Sequence, residues 1–306
     1  MSEVKFEKVS KRYGEDPQTP WAVDAIDLVI PKGTLTTLLG PSGCGKTTTL
    51  RMMAGLELPN AGKISINGQD VTRLNPAQRQ VGMMFQSYAL FPHLDVLGNV
   101  MYGLRMAGVT TSSAKQRAMQ SLEQVGLSSL EGRWPSELSG GQQQRVGVAR
   151  ALAADPGVLL MDEPFGATDP ITRIRLQNEF RNLQRELKKT VVFVTHDFEE
   201  ALLLGDRIAV LSDQSKVEQY GTPLEILSNP KSDKVKSFVG DSASVRMLAL
   251  VPISSVNLLE GSVDGPVLSE KATLREAMDQ FIQGHTKVNV GNSKHLTFDA
   301  LQKAIS

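Results

Sequence analysis

Cysteine is almost absent from this chain of 306 residues. The single Cys44 can form no internal disulfide, and a reducing compartment is the simplest setting for such a protein. Neither sign of charge is in excess. Lys+Arg and Asp+Glu both number 33, a formal net charge of zero, which argues against a generalised binder of nucleic acid or anionic lipid. No apolar run reaches the roughly 18 residues of a membrane-spanning helix. The opening MSEVKFEKVS alternates charged and apolar residues and is not expected to act as a secretory signal. Work at a membrane is therefore expected to depend on other subunits. Internal repeats and low-complexity tracts are lacking too. What is present, 41% hydrophobic and 22% charged residues, suffices for one large domain and a small appendage.

Val4, Phe6 and Val9 alternate within residues 2–9, a strand pattern, and residues 21–30 read as a second strand closed by Pro31-Lys32-Gly33. Residues 34–39 form a short β-rich run that ends at Gly40, followed by a glycine loop and a helical stretch over 45–53. Residues 63–66 and 81–84 are further short strands. Residues 95–153 carry helical patterns broken at Gly108, Gly126 and Trp134-Pro135. Val158 to Met161 is a continuous apolar run, as expected of a strand buried on both faces. An amphipathic helix over 171–188 and buried strands at 191–194 and 208–211 follow. This alternation predicts a mostly parallel α/β sheet interrupted by a helical insertion. After about Gly240 the style changes, and residues 272–305 show two short helical patterns around one β-like run, 287–290.

Gly40-Pro41-Ser42-Gly43-Cys44-Gly45-Lys46-Thr47 fits G-x-x-x-x-G-K-[ST] between a strand and a helix. Glycines let the backbone wrap phosphates with N–H groups inward, and the helix start adds its positive dipole end. Lys46 would reach the β- and γ-phosphates of ATP, and the Thr47 hydroxyl would ligate Mg²⁺, with Thr48 beside it. The apolar strand Val158–Met161 ends in Asp162-Glu163. Asp162 would hold Mg²⁺, and Glu163 could orient or deprotonate an attacking water.

Leu138-Ser139-Gly140-Gly141-Gln142-Gln143-Gln144-Arg145 closely resembles the signature of the ABC ATPases, and it lies between the phosphate loop and the Asp-Glu strand as that family requires. The resemblance covers residues 1 to about 240. It implies the P-loop ABC ATPase fold, α/β with an antiparallel β subdomain and a helical subdomain at about 87–155, followed by a small appendage over 241–306. By matching position, Gln86 is the Q-loop glutamine that senses Mg²⁺ and the attacking water. His196 is the switch histidine, Asp169 lies in the D-loop, and Tyr13 stacks on adenine. Thr168 stands where many relatives have Leu. The resemblance further implies a head-to-tail dimer in which Ser139, Gly140, Gly141 and Gln142 of one copy complete the ATP site of the other.

A transport motor and a non-transport ABC ATPase of repair or translation are the two classes left. The second usually carries a long coiled-coil insertion or two cassettes, and this chain has one loop and one signature. Tyr88, Leu90, Phe91, Pro92 and His93 resemble the importer region that receives a permease helix, implying separate membrane permeases, an extracytoplasmic substrate-binding protein and residence at the cytoplasmic face of the cell membrane. For the cargo two groups compete. Asp169-Pro170-Ile171-Thr172-Arg173 resembles ATPases of glycine betaine, choline and carnitine uptake, and Gln78-Arg79-Gln80-Val81-Gly82-Met83-Met84 looks equally like polyamine, sugar and inorganic-anion importers. The tail segments at 274–278 and 296–301 resemble parts of one cystathionine-β-synthase-type module, which favours the osmoprotectant group; a packing or dimerisation appendage is the alternative for the tail.

Overall fold

The computed structural model describes residues 2–305 apart from Glu15, Pro17, 85–89, Ala167, Thr168, Asp241 and Ser242, and without the side chains of Leu187, Val245 and 302–305. Strands β1 (Val4–Lys11) and β2 (Val23–Ile30) pair antiparallel, Val4 opposite Ile30 and Lys11 opposite Val23. Next come β3 (Leu35–Leu39), the glycine loop and helix α1 (Lys46–Ala54). The chain returns through β4 (Ala61–Ile66) and β5 (Gln69–Asp70), completing an antiparallel sheet in the order β2-β1-β4-β5. Strand β6 (Val81–Met84) precedes three helices, α2 (Val96–Met106), α3 (Thr111–Gln124) and α4 (Gly140–Leu152). Then follow β7 (Val158–Asp162), α5 (Pro170–Leu187), β8 (Thr190–Thr195), α6 (Phe198–Leu204), β9 (Arg207–Leu211) and β10 (Val217–Gly221). The second sheet runs β10-β9-β3-β8-β7-β6, parallel except at its edge strand β10.

The two-residue strand period separates the two cores of this unit. In β7, Val158 and Leu160 join Phe6, Leu50 and Met52 on one face of the parallel sheet. Leu159 and Met161 point the other way, toward Val96, Val100 and Leu104 of α2 and Ala118 and Leu122 of α3. Strand β8 repeats the division, with Val192 and Val194 on the first face and Val191 and Phe193 on the second. Both faces are thus covered, which is why these strands read as unbroken apolar runs. Phe165, Phe180 and Phe193, with ring centroids 5.7 to 6.4 Å apart, fasten α5 to the second face.

Met1–Thr222 and Pro223–Ser306 are separate compact units. The first closes on β10, so the short helices α7 (Pro223–Ser228) and α8 (Asp233–Val239) fall with the second, upstream of the change of style expected near Gly240. The second unit continues with α9 (Ala243–Leu248), β11 (Leu259–Glu260), β12 (Val267–Leu268), α10 (Leu274–Ile282), β13 (Lys287–Val290), β14 (Lys294–Thr297) and α11 (Phe298–Ile305). Its sheet, β11-β14-β13-β12, has three strands beyond the single one expected. Two of them are only two residues long, too short to show a period. Leu274, Ala277, Val290, Leu296 and Leu301 form its core.

Arg79 belongs to the stretch that resembles polyamine and anion importers, and its structural work is plain. It is 2% exposed and donates to four backbone carbonyls: Nη1 to Met52 at 2.6 Å and Met53 at 3.2 Å, Nε to Leu74 at 2.9 Å, and Nη2 to Thr72 at 3.1 Å. Two of these carbonyls close the C-terminal turn of α1, where a cation complements the helix dipole. Gly55 ends that helix at φ +77°, and a Cβ there would come within 2.5 Å of the Arg79 guanidinium. Arg79→Leu removes the donor from four backbone carbonyls, two of them in buried hydrogen bonds, and is expected to cost about 3 kcal/mol. Urea unfolding measures it, and an unchanged midpoint would remove this role for Arg79.

Candidate functional site

Parallel register sets the site. Leu39 at the end of β3 lies opposite Thr195 of β8, and Asp162 at the end of β7 lies opposite Val194. The residues that follow these strand ends, Gly40, Glu163 and His196, therefore emerge at one edge of the sheet, the edge at which ligands bind in open parallel sheets.

Pro41, Ser42 and Gly43 form the exposed crown of the loop, while Cys44 and Lys46 are buried. Gly45 sits at φ +105°, and a Cβ there would meet the Ala22 carbonyl at 2.3 Å and Ser215 Oγ at 2.4 Å. Glycine is thus required by close backbone approach as well as by phosphate wrapping. Ser215 buttresses the loop. Its N–H donates to the Cys44 carbonyl at 2.7 Å, and its hydroxyl reaches the same carbonyl at 3.1 Å and Thr49 Oγ1 at 3.2 Å. Nothing in Asp213-Gln214-Ser215-Lys216 signals this part, because the tetrapeptide reads as a polar surface turn. The Cys44 thiol is pushed above its ordinary pKa by burial, so it is a packing residue of the loop rather than a reactive one.

Lys46 Nζ donates to the carbonyls of Gly40 at 2.7 Å and Pro41 at 2.8 Å, holding the ammonium at the loop. The Thr47 hydroxyl donates to Asp162 Oδ1 at 3.0 Å. Burial pushes the Asp162 carboxyl above the ordinary carboxylate range, against the opposing pull of the Thr47 hydroxyl. A buried carboxylate beside a hydroxyl is a pair of hard oxygen donors lacking a full counter-charge, and such a pair fits Mg²⁺. Glu163 adopts a left-handed backbone, φ +43°. Its N–H is tied to the Val194 carbonyl at 3.1 Å, and its Oε2 lies 3.1 Å from His196 Nδ1. The acid expected to handle water and the expected switch histidine are thus in direct contact.

Tyr13 lies two residues beyond β1. Its hydroxyl is 3.3 Å from Thr48 Oγ1, and Lys11 Nζ lies 5.1 Å from its ring centroid. With the ring 45% exposed beside the start of α1, a base can stack on it. Gln86 and Tyr88 lie outside the described residues, as does Thr168. Asp169 caps α5, accepting from the Thr172 N–H at 3.0 Å, and these amide bonds hold its carboxyl below the ordinary range.

The signature is built as a helix start. Ser139 caps α4, and a capping box joins its hydroxyl to the Gln142 N–H at 3.3 Å and Gln142 Oε1 to the Ser139 N–H at 2.9 Å. Ser139 and Gly140 are exposed; Gly141 is buried against α5, where a Cβ would meet Leu176 at 2.9 Å. The strand ends bring Lys46, Thr47, Asp162, Glu163 and His196 together, while the hydrogen bonds between Ser139 and Gln142 stay within the first turn of the signature helix.

Sequence reasoning also missed Asn99. It is fully buried in α2 and holds the segment 91–95. The Phe91 N–H donates to its Oδ1 at 2.7 Å, and its Nδ2 donates to the carbonyls of Phe91, Leu94 and Asp95 at 3.0 to 3.1 Å. Phe91 packs on Tyr102, ring centroids 4.3 Å apart, with His93 5.9 Å away.

Residues 23–166 match the model of the ABC transporter family. The Fe(3+) ions import ATP-binding protein FbpC of Agrobacterium fabrum is 49% identical over 239 residues, 78% of this chain and 66% of that protein. The sulfate/thiosulfate import ATP-binding protein CysA 2 of Chromobacterium violaceum is 48% identical over 264 residues, 86% of this chain and 70% of the relative. The bacterial ABC transporter cassette MJ0796 superposes in its dimeric structure with a TM-score of 0.62 at 33% identity, covering 72% of this chain and 98% of that one. MJ0796 has also been solved as a post-hydrolysis dimer bound to ADP and Pi. By its phosphate loop, its signature and these similarities, the chain belongs to the ABC transporter ATP-binding family.

Proposed function

We propose that this protein binds and hydrolyses ATP as a head-to-tail pair and so powers import through separate membrane permeases. One observation carries the reading: Lys46, Thr47, Asp162, Glu163 and His196 converge at the ends of β3, β7 and β8 in a chain whose exposed signature is left for a second copy. The contacts of Thr47 with Asp162 and of Glu163 with His196, at 3.0 and 3.1 Å, give the pairing its geometry. ATP would lie with its phosphates on the loop N–H groups and Lys46 and its base on Tyr13. Mg²⁺, held by Thr47 and Asp162, would supply charge neutralisation at the phosphates. Glu163 orients the attacking water and accepts its proton, and His196 fixes the Glu163 carboxylate. The γ-phosphate would touch the loop of one copy and Ser139–Gln142 of the other, so ATP favours the closed pair and loss of phosphate the open one.

Among the described residues no helix is long and apolar enough to cross a membrane. The partner-facing surface is the segment clamped by Asn99, with Phe91, His93 and Tyr102 forming an aromatic seat for a permease helix. Such a subunit works at the cytoplasmic face of the membrane.

For the cargo, we favour an inorganic ion or a polyamine over an osmoprotectant. The relatives named above are import ATP-binding proteins for iron(III) and for sulfate or thiosulfate, and a spermidine/putrescine import ATP-binding protein of Trichormus variabilis is 49% identical over 240 residues. The chain spans 66% of the length of the iron-import relative. The Asp169-Pro170 resemblance behind the osmoprotectant expectation has a general cause: Asp169 is an N-cap and Pro170 a first helical residue, a combination that starts many helices. Calorimetry on the cognate extracytoplasmic binding protein discriminates. Binding of iron(III), sulfate or a polyamine is expected, and glycine betaine binding without any of these would reverse the assignment.

Glu163→Gln is expected to keep ATP affinity within about twofold, lower turnover at least ~100-fold and trap a closed dimer visible by size-exclusion chromatography with ATP. Normal steady-state hydrolysis would remove Glu163 from its role. Lys46→Ala is expected instead to weaken nucleotide binding itself. Asp162→Asn separates stability from binding. Because the folded-state pKa is raised, deprotonation of Asp162 costs stability as pH rises through its unfolded and then its folded pKa, and above both the cost is complete. At neutral pH the asparagine variant should therefore melt higher than the parent without nucleotide, yet lose the Mg²⁺-dependent gain from ATP. A lower melting point in the absence of Mg²⁺ and nucleotide would contradict this.

A further inference from the structure

Asp197-Phe198-Glu199-Glu200 opens α6 with one acid at the cap and another three residues on, the spacing at which the second acid ordinarily turns back to the cap N–H. Here that N–H is already taken, by the Thr195 hydroxyl at 2.9 Å. Glu200 turns inward instead and is 7% exposed. Its Oε1 accepts from Gln177 Nε2 at 3.0 Å, and Gln177 is itself buried, two turns into α5. The Thr195 hydroxyl accepts from the Asp197 N–H and so has its own proton left for the Glu200 carboxylate. Burial pushes the Glu200 carboxyl above the ordinary carboxylate range, against the hydrogen bonds from Thr195 and Gln177; Asp197 adds to the rise and the Arg173 charge opposes it.

A buried carboxylate is a costly way to fill space, and an apolar side chain of that size would pack there at less cost. What the carboxylate supplies is two acceptor oxygens with no proton of their own, able to hold a hydroxyl and an amide at once. The hydroxyl belongs to the residue next to His196. The His196 side chain is 57% exposed, and its Nδ1 lies 3.1 Å from Glu163 Oε2. An imidazole so exposed is not held by packing, and its placement depends on the backbone of 195–197. A cleft of about 50 Å³ is lined by Glu163, Thr195, His196, Asp197 and Glu200, so the buried carboxylate and the expected water-handling pair share one cleft.

We propose that Glu200 is a positioning residue for hydrolysis: its carboxylate joins the Thr195 hydroxyl to Gln177 of α5 and so fixes the 195–197 turn that aims His196 at Glu163. The inference rests on the ATPase reading of the site. The same bridge anchors the turn to the helix that Asp169 caps, which ties two of the expected ATP-facing segments to one buried group.

Glu200→Ala in the full chain tests this by turnover at saturating MgATP, by ATP affinity and by the His196 imidazole NMR signals recorded without nucleotide. The chain has four histidines, and the His196 signals are assigned by their loss in His196→Gln. Turnover is expected to fall about 30-fold while ATP affinity stays within about threefold and the His196 signals shift. Glu200→Gln, which keeps the shape and one acceptor oxygen, should recover part of the loss. Gln177→Met withdraws the α5 end of the bridge and should lower turnover about fivefold with the same split; it decides the matter if Glu200→Ala does not fold. Gln184→Met is the stability control. Gln184 is likewise buried in α5 but donates to the Lys189 carbonyl at 3.3 Å, and its loss should leave turnover within about twofold and the His196 signals unmoved. Unchanged turnover in Glu200→Ala and Gln177→Met, an equal fall in ATP affinity, or unmoved His196 signals would each overturn the proposal. If Glu163→Gln abolishes hydrolysis and the Glu200 variants do not lower it, the positioning role fails and the ATPase reading stands; a parent that hydrolyses no ATP overturns both.

Discussion

The level register of three parallel strands is the constraint on which the site depends. Leu39 opposite Thr195 and Val194 opposite Asp162 put the ends of β3, β8 and β7 at one height. A parallel strand cannot slip by one residue here, because each slip would exchange the faces of Val191, Phe193 and their neighbours between the two cores. Register is therefore fixed by hydrophobic burial far from any chemistry. The ends of the strands inherit that precision: Asp162 meets Thr47, and Glu163, turned back by a left-handed backbone, meets His196. Strain of this kind at a strand end is affordable only because the strand behind it is buried on both faces.

The same economy explains what supports the loop. Ser215 and the Ala22 carbonyl leave no space above Gly45, and Arg79 fixes the far end of the helix that the loop begins. Phosphate-binding N–H groups are useful when they are pre-aimed, and pre-aiming comes from these flanking contacts rather than from the glycines, which alone would only add freedom.

Much of this was legible in the sequence because it rests on short-range patterns. The apolar run Val158–Met161, the loop Gly40–Thr47 and the cap Ser139 with Gln142 each declare themselves within a few residues. What was not legible depends on distant partners. Asn99, Ser215 and Arg79 are polar residues whose burial is decided by carbonyls brought to them by folding, and a polar residue in a sequence reads as surface. Strands β5, β11 and β12, at two residues each, are held by neighbours and carry no period of their own. Asp169 errs in the other direction: its resemblance to one cargo group was legible, but the capping chemistry behind the motif is common to many helices and says nothing of cargo.

The signature helix bears on the proposed head-to-tail pair. Gly141 must be small because Leu176 presses on it from α5, so one side of the LSGGQ turn is already committed to its own chain. Its polar atoms are committed as well, since Ser139 and Gln142 satisfy each other across the capping box. What remains is the exposed face at Ser139 and Gly140, with the free N–H groups and positive dipole end that every helix start possesses. A helix start in that condition attracts an anion, and the capping box lets it wait in water without penalty. The phosphate loop, by contrast, holds Lys46 on its own carbonyls. In the proposed pair these two half-sites would be directed at the same phosphates and would give ATP the differential contact that a closing dimer requires.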